Sequence, residues 1–366
     1  MGNSISDNQY AETEQPSPEI SVEGSSNYKK VVYRKVIVLV CLLILVLLSF
    51  IADMSTGPAR LALTDVIRSL LSPDSVDNQT IIIVHVIRLP IAIMALLVGS
   101  CLALAGMEMQ TILNNQLASP YTLGISAAAS FGAALSLVMG QSLLPAVLQN
   151  IAIPVFAFIF SLGTSLFIYA IGKIKQDRAT IILSGITIHF LFSALMSGLQ
   201  YFVSDEVLRA ITAWSQGSIL GATWQKNLFV FSVLIAVIPF LFRESWKLTA
   251  LSMGEATAKS LGVQVERLRT KVLILSALIT AVAVCFVGTI GFVGLVAPYV
   301  ARSLVGEEQR FCIPVTLLTG ALMLSISSIL SRSIIPEGQI PLGIITSIVG
   351  IPFLLMLILK KRSDWR

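Results

Sequence analysis

Charge is scarce in this chain. Only 12% of the 366 residues are Asp, Glu, Lys or Arg, against 55% hydrophobic, with a mean hydropathy of +0.86. A soluble domain carries about a quarter charged residues, so the balance excludes one, and lipid is the solvent for most of the chain. Cysteine is sparse as well. Cys41, Cys101, Cys285 and Cys312 each stand alone in or beside an apolar run, with no CxxC, so neither a disulfide framework nor a metal site is indicated. His85 and His189 are the only histidines, too few and too far apart to ligate a metal as a pair. Catalytic equipment is missing. There is no G-x-x-x-x-G-K-[ST] phosphate loop, no H-E-x-x-H and no G-x-S-x-G, so the chain does not bind ATP by the first route and is not expected to be an enzyme. Proton-driven transporters carry carboxylates at membrane depth. Here the only carboxylate in an expected span is Glu108, near a cytoplasmic end, where it reads as a snorkelling or loop-capping residue.

What the chain does have is long continuous apolar runs. In lipid the backbone must satisfy its own hydrogen bonds, and unbroken runs without alternation select helices over a barrel. Ten spans are expected at about 36–52, 91–109, 121–140, 150–172, 180–203, 228–243, 271–289, 291–305, 312–331 and 342–360. The fold class is therefore an all-α polytopic membrane protein. Residues 1–28, rich in Ser, Asn, Glu, Gln and Pro, are expected as a disordered cytoplasmic tail. Residues 29–366 form the transmembrane domain. The first apolar run follows a basic patch but ends at Asp53-Met-Ser-Thr-Gly-Pro58, which reads as an uncleaved span. The net charge of +5 sits in short clusters between spans, a topology signal and not a nucleic-acid face. With ten spans both termini share one side, and 19 of the 25 Lys and Arg fall there, which makes it cytoplasmic.

Small residues let membrane helices pack closely. Gly99, Ala103 and Gly106 form one such stripe, and Gly288, Gly291 and Gly294 before Pro298 read as close helix contact and a bend. One polar stretch stands apart: residues 244–270, containing Met253-Gly-Glu-Ala-Thr-Ala-Lys-Ser-Leu-Gly-Val-Gln-Val265. Pro239 and Arg243-Glu-Ser-Trp246 are expected to end one span, and Lys271 opens the next. Between them Ser252 can cap a short helix with Glu255 in its first turn, Ala256, Ala258 and Leu261 on a small-residue face, and Gly262 at its end. A chain with no nucleotide site and a cytoplasmic knob invites an energy-supplying partner. A surface ornament is the plainer alternative.

From residue 36 onward a series of short motifs follows in order: Arg88-Leu-Pro, Leu96-Leu-Val-Gly-Ser-Cys-Leu-Ala-Leu-Ala-Gly106 with Gln110, and Asn114 with Leu117-Ala-Ser-Pro-Tyr-Thr-Leu-Gly-Ile-Ser126. Further on come Gly254-Glu-Ala256, Leu261-Gly-Val263, Gly291-Phe-Val-Gly-Leu-Val-Ala-Pro298 with Arg302, and Ile340-Pro-Leu-Gly343 with Thr346 and Gly350. In these pieces the chain resembles the permease subunits of type II ABC importers for iron-siderophore, haem and vitamin B12. Two positions depart from the family pattern: Ile91 replaces a second arginine, and Asn115-Gln-Leu117 replaces Asn-Pro-Leu.

The resemblance implies a permease subunit importing an iron-siderophore complex across the bacterial plasma (inner) membrane, with vitamin B12 or haem as alternative cargo. A secondary transporter is the alternative of another class. It implies a second permease, identical or paralogous, and two ATP-binding subunits that hold ATP and Mg. A periplasmic or lipid-anchored binding protein would feed the ferric siderophore. Gly254, Glu255, Ala256, Leu261 and Gly262 would form the coupling element on the ATPase. Arg88 and Arg332 would receive the binding protein's acidic groups, and His189 would line the path or serve as a hydrogen-bonded bundle residue.

Overall fold

The structure is a computed structural model that describes residues 22–57, 61–72, 75–140, 146–175, 178–335 and 339–361. These residues are helical throughout, joined by turns, with no strand among them. In chain order the helices are α1 (Val22–Ser55), α2 (Leu63–Leu71), α3 (Asn78–Ile81), α4 (Leu89–Leu113), α5 (Ile125–Gly140), α6 (Ala146–Lys175) and α7 (Arg178–Phe202). Then follow α8 (Asp205–Ser215), α9 (Trp224–Ser252), α10 (Glu255–Ser260), α11 (Val265–Val287), α12 (Val293–Val305), α13 (Gln309–Ser333) and α14 (Leu342–Lys361). A π-helical stretch, Ile82–Arg88, fuses α3 to α4.

Hydropathy decides which of these cross the membrane. Seven helices are long and apolar enough: Lys29–Ser55, the continuous Asn78–Leu113, Ile151–Ile174, Ala179–Phe202, α9, α11 and α13. The shorter apolar helices Ile125–Gly140, Val293–Val305 and Leu342–Met356 account for the remaining three expected spans. At a rise of 1.5 Å per residue, the 13-residue α12 covers only about 20 Å of a hydrocarbon layer of about 30 Å. Non-helical turns must therefore continue its path, which lipid permits only where protein or a cavity surrounds them.

α4 sits at the centre, packed by α9, α11, α12 and α13. Its Met94, Leu104, Met107 and Met109 side chains are fully enclosed. The expected glycine stripe works as close contact. A Cβ on Gly106 would lie 1.8 Å from the Gly294 carbonyl of α12, and one on Gly99 would lie 2.3 Å from the Gly320 carbonyl of α13. Outward, Leu43, Leu47 and Leu48 of α1 are exposed, as suits a face that meets acyl chains.

Several local expectations are corrected. α9 runs through Pro239 and Arg243–Trp246 to Ser252, so neither ends the span. Proline costs one backbone bond, which membrane helices absorb. Beyond it Glu244 is held by Lys247 at 2.7 Å and Lys271 at 2.5 Å, which keeps the polar turns helical and tied to α11. Ser252 is the last residue of α9, its hydroxyl donating to the Thr249 carbonyl, and does not cap the next helix. Glu108 does not snorkel: it is wholly buried, and neither oxygen has a partner. It is not the only carboxylate in a span either, because Asp53 lies buried in the last turn of α1. α1 begins at Val22, inside the stretch expected as tail, while residues 1–21 lie outside the described residues.

α2 and α8 are amphipathic helices with no counterpart among the expected spans. α3 is capped by Asp77, whose carboxylate accepts from the Thr80 hydroxyl at 2.6 Å and its N–H at 3.1 Å. Those two bonds hold the Asp77 carboxyl below the usual carboxylate range.

Candidate functional site

Three places on the chain can do something beyond spanning. The first is the knob between α9 and α11. Gly254 sits at φ +120°, ψ 151°, a conformation that side chains strongly resist, and it serves as the N-cap of α10 in place of Ser252. Glu255 begins the helix, where a carboxylate suits the positive end of the peptide dipoles. Leu261 is the C-cap and Gly262 follows at φ +79°, with the Val263 N–H returning to the Ala258 carbonyl at 3.0 Å. Ala256 and Leu261 face outward while Ala258 is buried, so the small-residue face is split between an exposed side and an anchored one. Arg269 of α11 anchors the knob from beneath, 3.2 Å from Glu255.

The second place is a pair of adjoining cavities of about 250 and 380 Å³. Both are bordered by Tyr121, Ser215 and Thr289. The smaller adds His189, Ser193 and Phe192 of α7, and the larger adds Gln216, Gly291 and Ser347. The walls combine faces of α5, α7 and α14 with the non-helical turns that hold Tyr121, Gln216, Thr289 and Gly291. Before α5, Ser119 and Thr122 bond each other's backbone, the Ser119 N–H donating to Thr122 Oγ1 at 2.9 Å. After α8, Ser218 and Gln216 tie two other elements together. The Ser218 N–H donates to Val287 at the end of α11 (2.7 Å), and the Gly343 N–H of α14 donates to Gln216 (2.9 Å). The Thr289 hydroxyl donates to the Ser215 carbonyl across the same turn. Phe292 holds a positive φ of 66° at the N-cap of α12, and the space its ring needs exists because residue 350 is glycine. His189 has an intermediate exposure, and its Nδ1 is buried without a partner; its ring lies 6.0 Å from that of Tyr121.

The third place is the C-terminal end of α1. Arg332 and Arg88, expected on a docking face, are both turned inward here. The Arg332 guanidinium pairs with the Asp53 carboxylate and donates to the carbonyls of Asp53 (3.1 Å) and Thr56 (3.2 Å). Arg88 donates to the Met54 carbonyl at 2.7 Å and is 4% exposed. The two arginines therefore donate to carbonyls at and just beyond the C-terminus of α1.

A knob framed by membrane helices and a cavity built from interrupted helices are features of transport subunits, and sequence comparison decides which kind. Residues 42–360 match the model of the FecCD transport family. The chain belongs to that family. An ABC transporter permease protein of Methanocaldococcus jannaschii is 36% identical over 340 residues, 91% of this chain and 97% of that protein. The haemin transport system permease of Yersinia pestis is 36% identical over 279 residues, covering 76% and 83%. A solved structure described as an inward-facing conformation of a metal-chelate type ABC transporter superposes with a TM-score of 0.76 at 32% identity, covering 88% of this chain and 98% of that one.

This FecCD chain is thus a multi-pass permease subunit of an ABC importer and not an enzyme. Membership implies ATP-binding subunits, a partner permease and a substrate-binding protein. Sequence reasoning missed the FecCD chain's Asp53, Ser328 and Arg269. Asp53 and Arg332 are 279 positions apart, and no local pattern joins them.

Proposed function

We propose that this permease imports a ferric siderophore, with ATP hydrolysed by a separate subunit seated on α10. The observation that carries the cargo reading is the wall of the two cavities. Tyr121, Ser130, Ser193, Ser215, Gln216 and Thr289 supply hydroxyls and an amide beside aromatic and aliphatic groups, and no Asp, Glu, Lys or Arg is among the lining residues. Such a surface suits a bulky chelate that wraps its own metal charge, and offers a bare ion no side chain of opposite formal charge. The haemin permease among the relatives makes haem the second reading, and vitamin B12 follows from the resemblance in the motifs.

Coupling is assigned to Gly254, Glu255, Ala256, Leu261 and Gly262. Their support is an exposed, rigidly capped knob on a chain without a phosphate loop. The basic-residue excess favours both termini, and with them α10, on the cytoplasmic side of the plasma membrane. On the other side Arg88 and Arg332 are assigned to the docking of the binding protein, whose acidic groups would compete with Asp53 and the α1 carbonyls for them. His189 is assigned to the wall of the path.

The test is uptake into proteoliposomes holding the complete importer, with ferric siderophore, haem and cobalamin labelled in parallel. ATP-dependent accumulation of the siderophore alone supports the reading. Accumulation of haem or cobalamin in its place reassigns the cargo, and ATP-independent accumulation refutes the coupling.

A further inference from the structure

We infer that Arg269 is the positioning residue that carries motion of α10 to the end of α4. Its guanidinium serves three elements at once. Nη2 lies 3.2 Å from the Glu255 carboxylate of α10, and Nη1 lies 2.7 Å from Glu266 of α11 itself. Nε donates to the carbonyl of Ile112, in the last turn of α4, at 3.2 Å. That carbonyl is among the last four of its helix, which have no partner in their own helix, so the arginine supplies one. The Arg269 side chain is 5% exposed, against 28% for Glu255 and 45% for Glu266, so the guanidinium is held inside while its two carboxylates reach solvent.

α10 packs on α9 and α11, which pack in turn on α4, and it has no comparable packing on α4 itself among the described residues, so Arg269 is its direct polar link to that helix. α4 in turn touches α12 backbone to backbone at Gly106 and Gly294, and α12 begins at the turn that walls the cavities. Beside the packing of α9 and α11 on α4, Arg269 thus gives a displacement of Glu255 a direct polar route to the end of α4 and onward to the path. The planar fork of arginine can hold two carboxylates and a carbonyl in fixed directions, whereas an ammonium is a single point charge. A cavity of about 60 Å³ borders Arg269 beside Tyr169, Lys173 and Leu273, so the guanidinium has space to follow its partner.

This inference rests on α10 being the element seated on the ATPase. The test uses the complete importer in proteoliposomes with Arg269→Met, Arg269→Lys or Glu255→Gln, and with Arg269→Met combined with Glu255→Gln. ATP hydrolysis and cargo uptake are read together. Arg269→Met is expected to leave hydrolysis nearly unchanged while lowering uptake by about twofold to thirtyfold, the range that a coupling change of about 0.5–2 kcal/mol produces. Arg269→Lys falls between, Glu255→Gln also lowers uptake, and the double variant is no worse than the more affected of its two single variants. The lysine and glutamine variants keep the test open if the methionine variant fails to assemble. Uptake that falls only in proportion to hydrolysis overturns the relay, as does a double variant equal to the product of the singles. A second readout separates the two layers. Lys259→Cys, at a side chain 61% exposed on α10, is cross-linked to the ATPase with a short bifunctional maleimide. A cross-link that forms while Arg269 variants keep the native ratio of uptake to hydrolysis removes the relay alone. Absence of the cross-link removes the seating of α10 and the relay with it.

Discussion

The Asp53 carboxylate in the last turn of α1 pairs with the Arg332 guanidinium in the last turn of α13, with the Asp53 side chain fully buried and 6% of the Arg332 side chain exposed. The Ser328 hydroxyl donates to the same carboxylate oxygen at 2.8 Å, and the other oxygen has no partner. At the other end of α13 its N-cap, Glu308, pairs at 2.7 Å with Lys35, which lies well inside α1. α13 is therefore fastened to α1 at both of its ends.

Removing one member of the buried pair leaves an uncompensated charge, which costs about 3–5 kcal/mol. Arg332→Met is expected to lower the thermal unfolding midpoint of the detergent-solubilised chain markedly, and Arg332→Met with Asp53→Leu to recover most of it. A double variant as unstable as the single one would mean that the carboxylate is not what the arginine serves.

Close backbone contact makes a second prediction. Gly106→Leu places carbon where the Gly294 carbonyl stands, and α4 cannot shift because α13 holds it equally tightly at Gly99. Overpacking of this kind costs about 1–3 kcal/mol or more. Size-exclusion chromatography should show loss of monodisperse protein, whereas Gly163→Leu, with nothing within 4 Å of its Cβ, should elute normally.

Much of this architecture was legible in the residues, and the failures have causes. Each of the ten apolar runs corresponds to a helix because lipid leaves the backbone no other option. α2 and α8 escaped notice because Arg68, Asp205, Glu206 and Arg209 give them the composition of a loop, while Val66 and Ile211 on their inner faces are buried. Pro239 misled because proline ends helices in water more often than in membranes. The knob was legible from Glu255 and Gly262. Its true cap, Gly254, was hidden by the serine two residues earlier, whose hydroxyl had a carbonyl of its own helix to bond. Long-range partners such as Arg269 with Ile112 leave no local signature at all.

Glu108 offers a third prediction. Both its oxygens are buried and unpartnered, and such a group costs more than an apolar replacement of similar size. Glu108→Gln and Glu108→Met are expected to raise the unfolding midpoint or leave it unchanged. A drop of several degrees in both would show that the carboxyl makes a contact its surroundings depend on.

His189 separates packing from transport. Its Nδ1 has no partner, so His189→Phe removes an unsatisfied polar atom while keeping the ring against Tyr121. Stability should hold or rise. If His189 lines the path, uptake changes while hydrolysis by the complex does not; equal uptake would assign the histidine to the bundle.

Coupling through α10 is tested most directly by ATP-driven uptake in proteoliposomes holding the complete importer with Gly254→Val or Glu255→Lys. The valine cannot hold φ +120° without strain of about 1–3 kcal/mol, and the lysine sets a like charge against Arg269. Both variants are predicted to lose most ATP-driven uptake while the chain still folds and reaches the membrane. Uptake and cargo-stimulated hydrolysis at native rates in both would contradict the account.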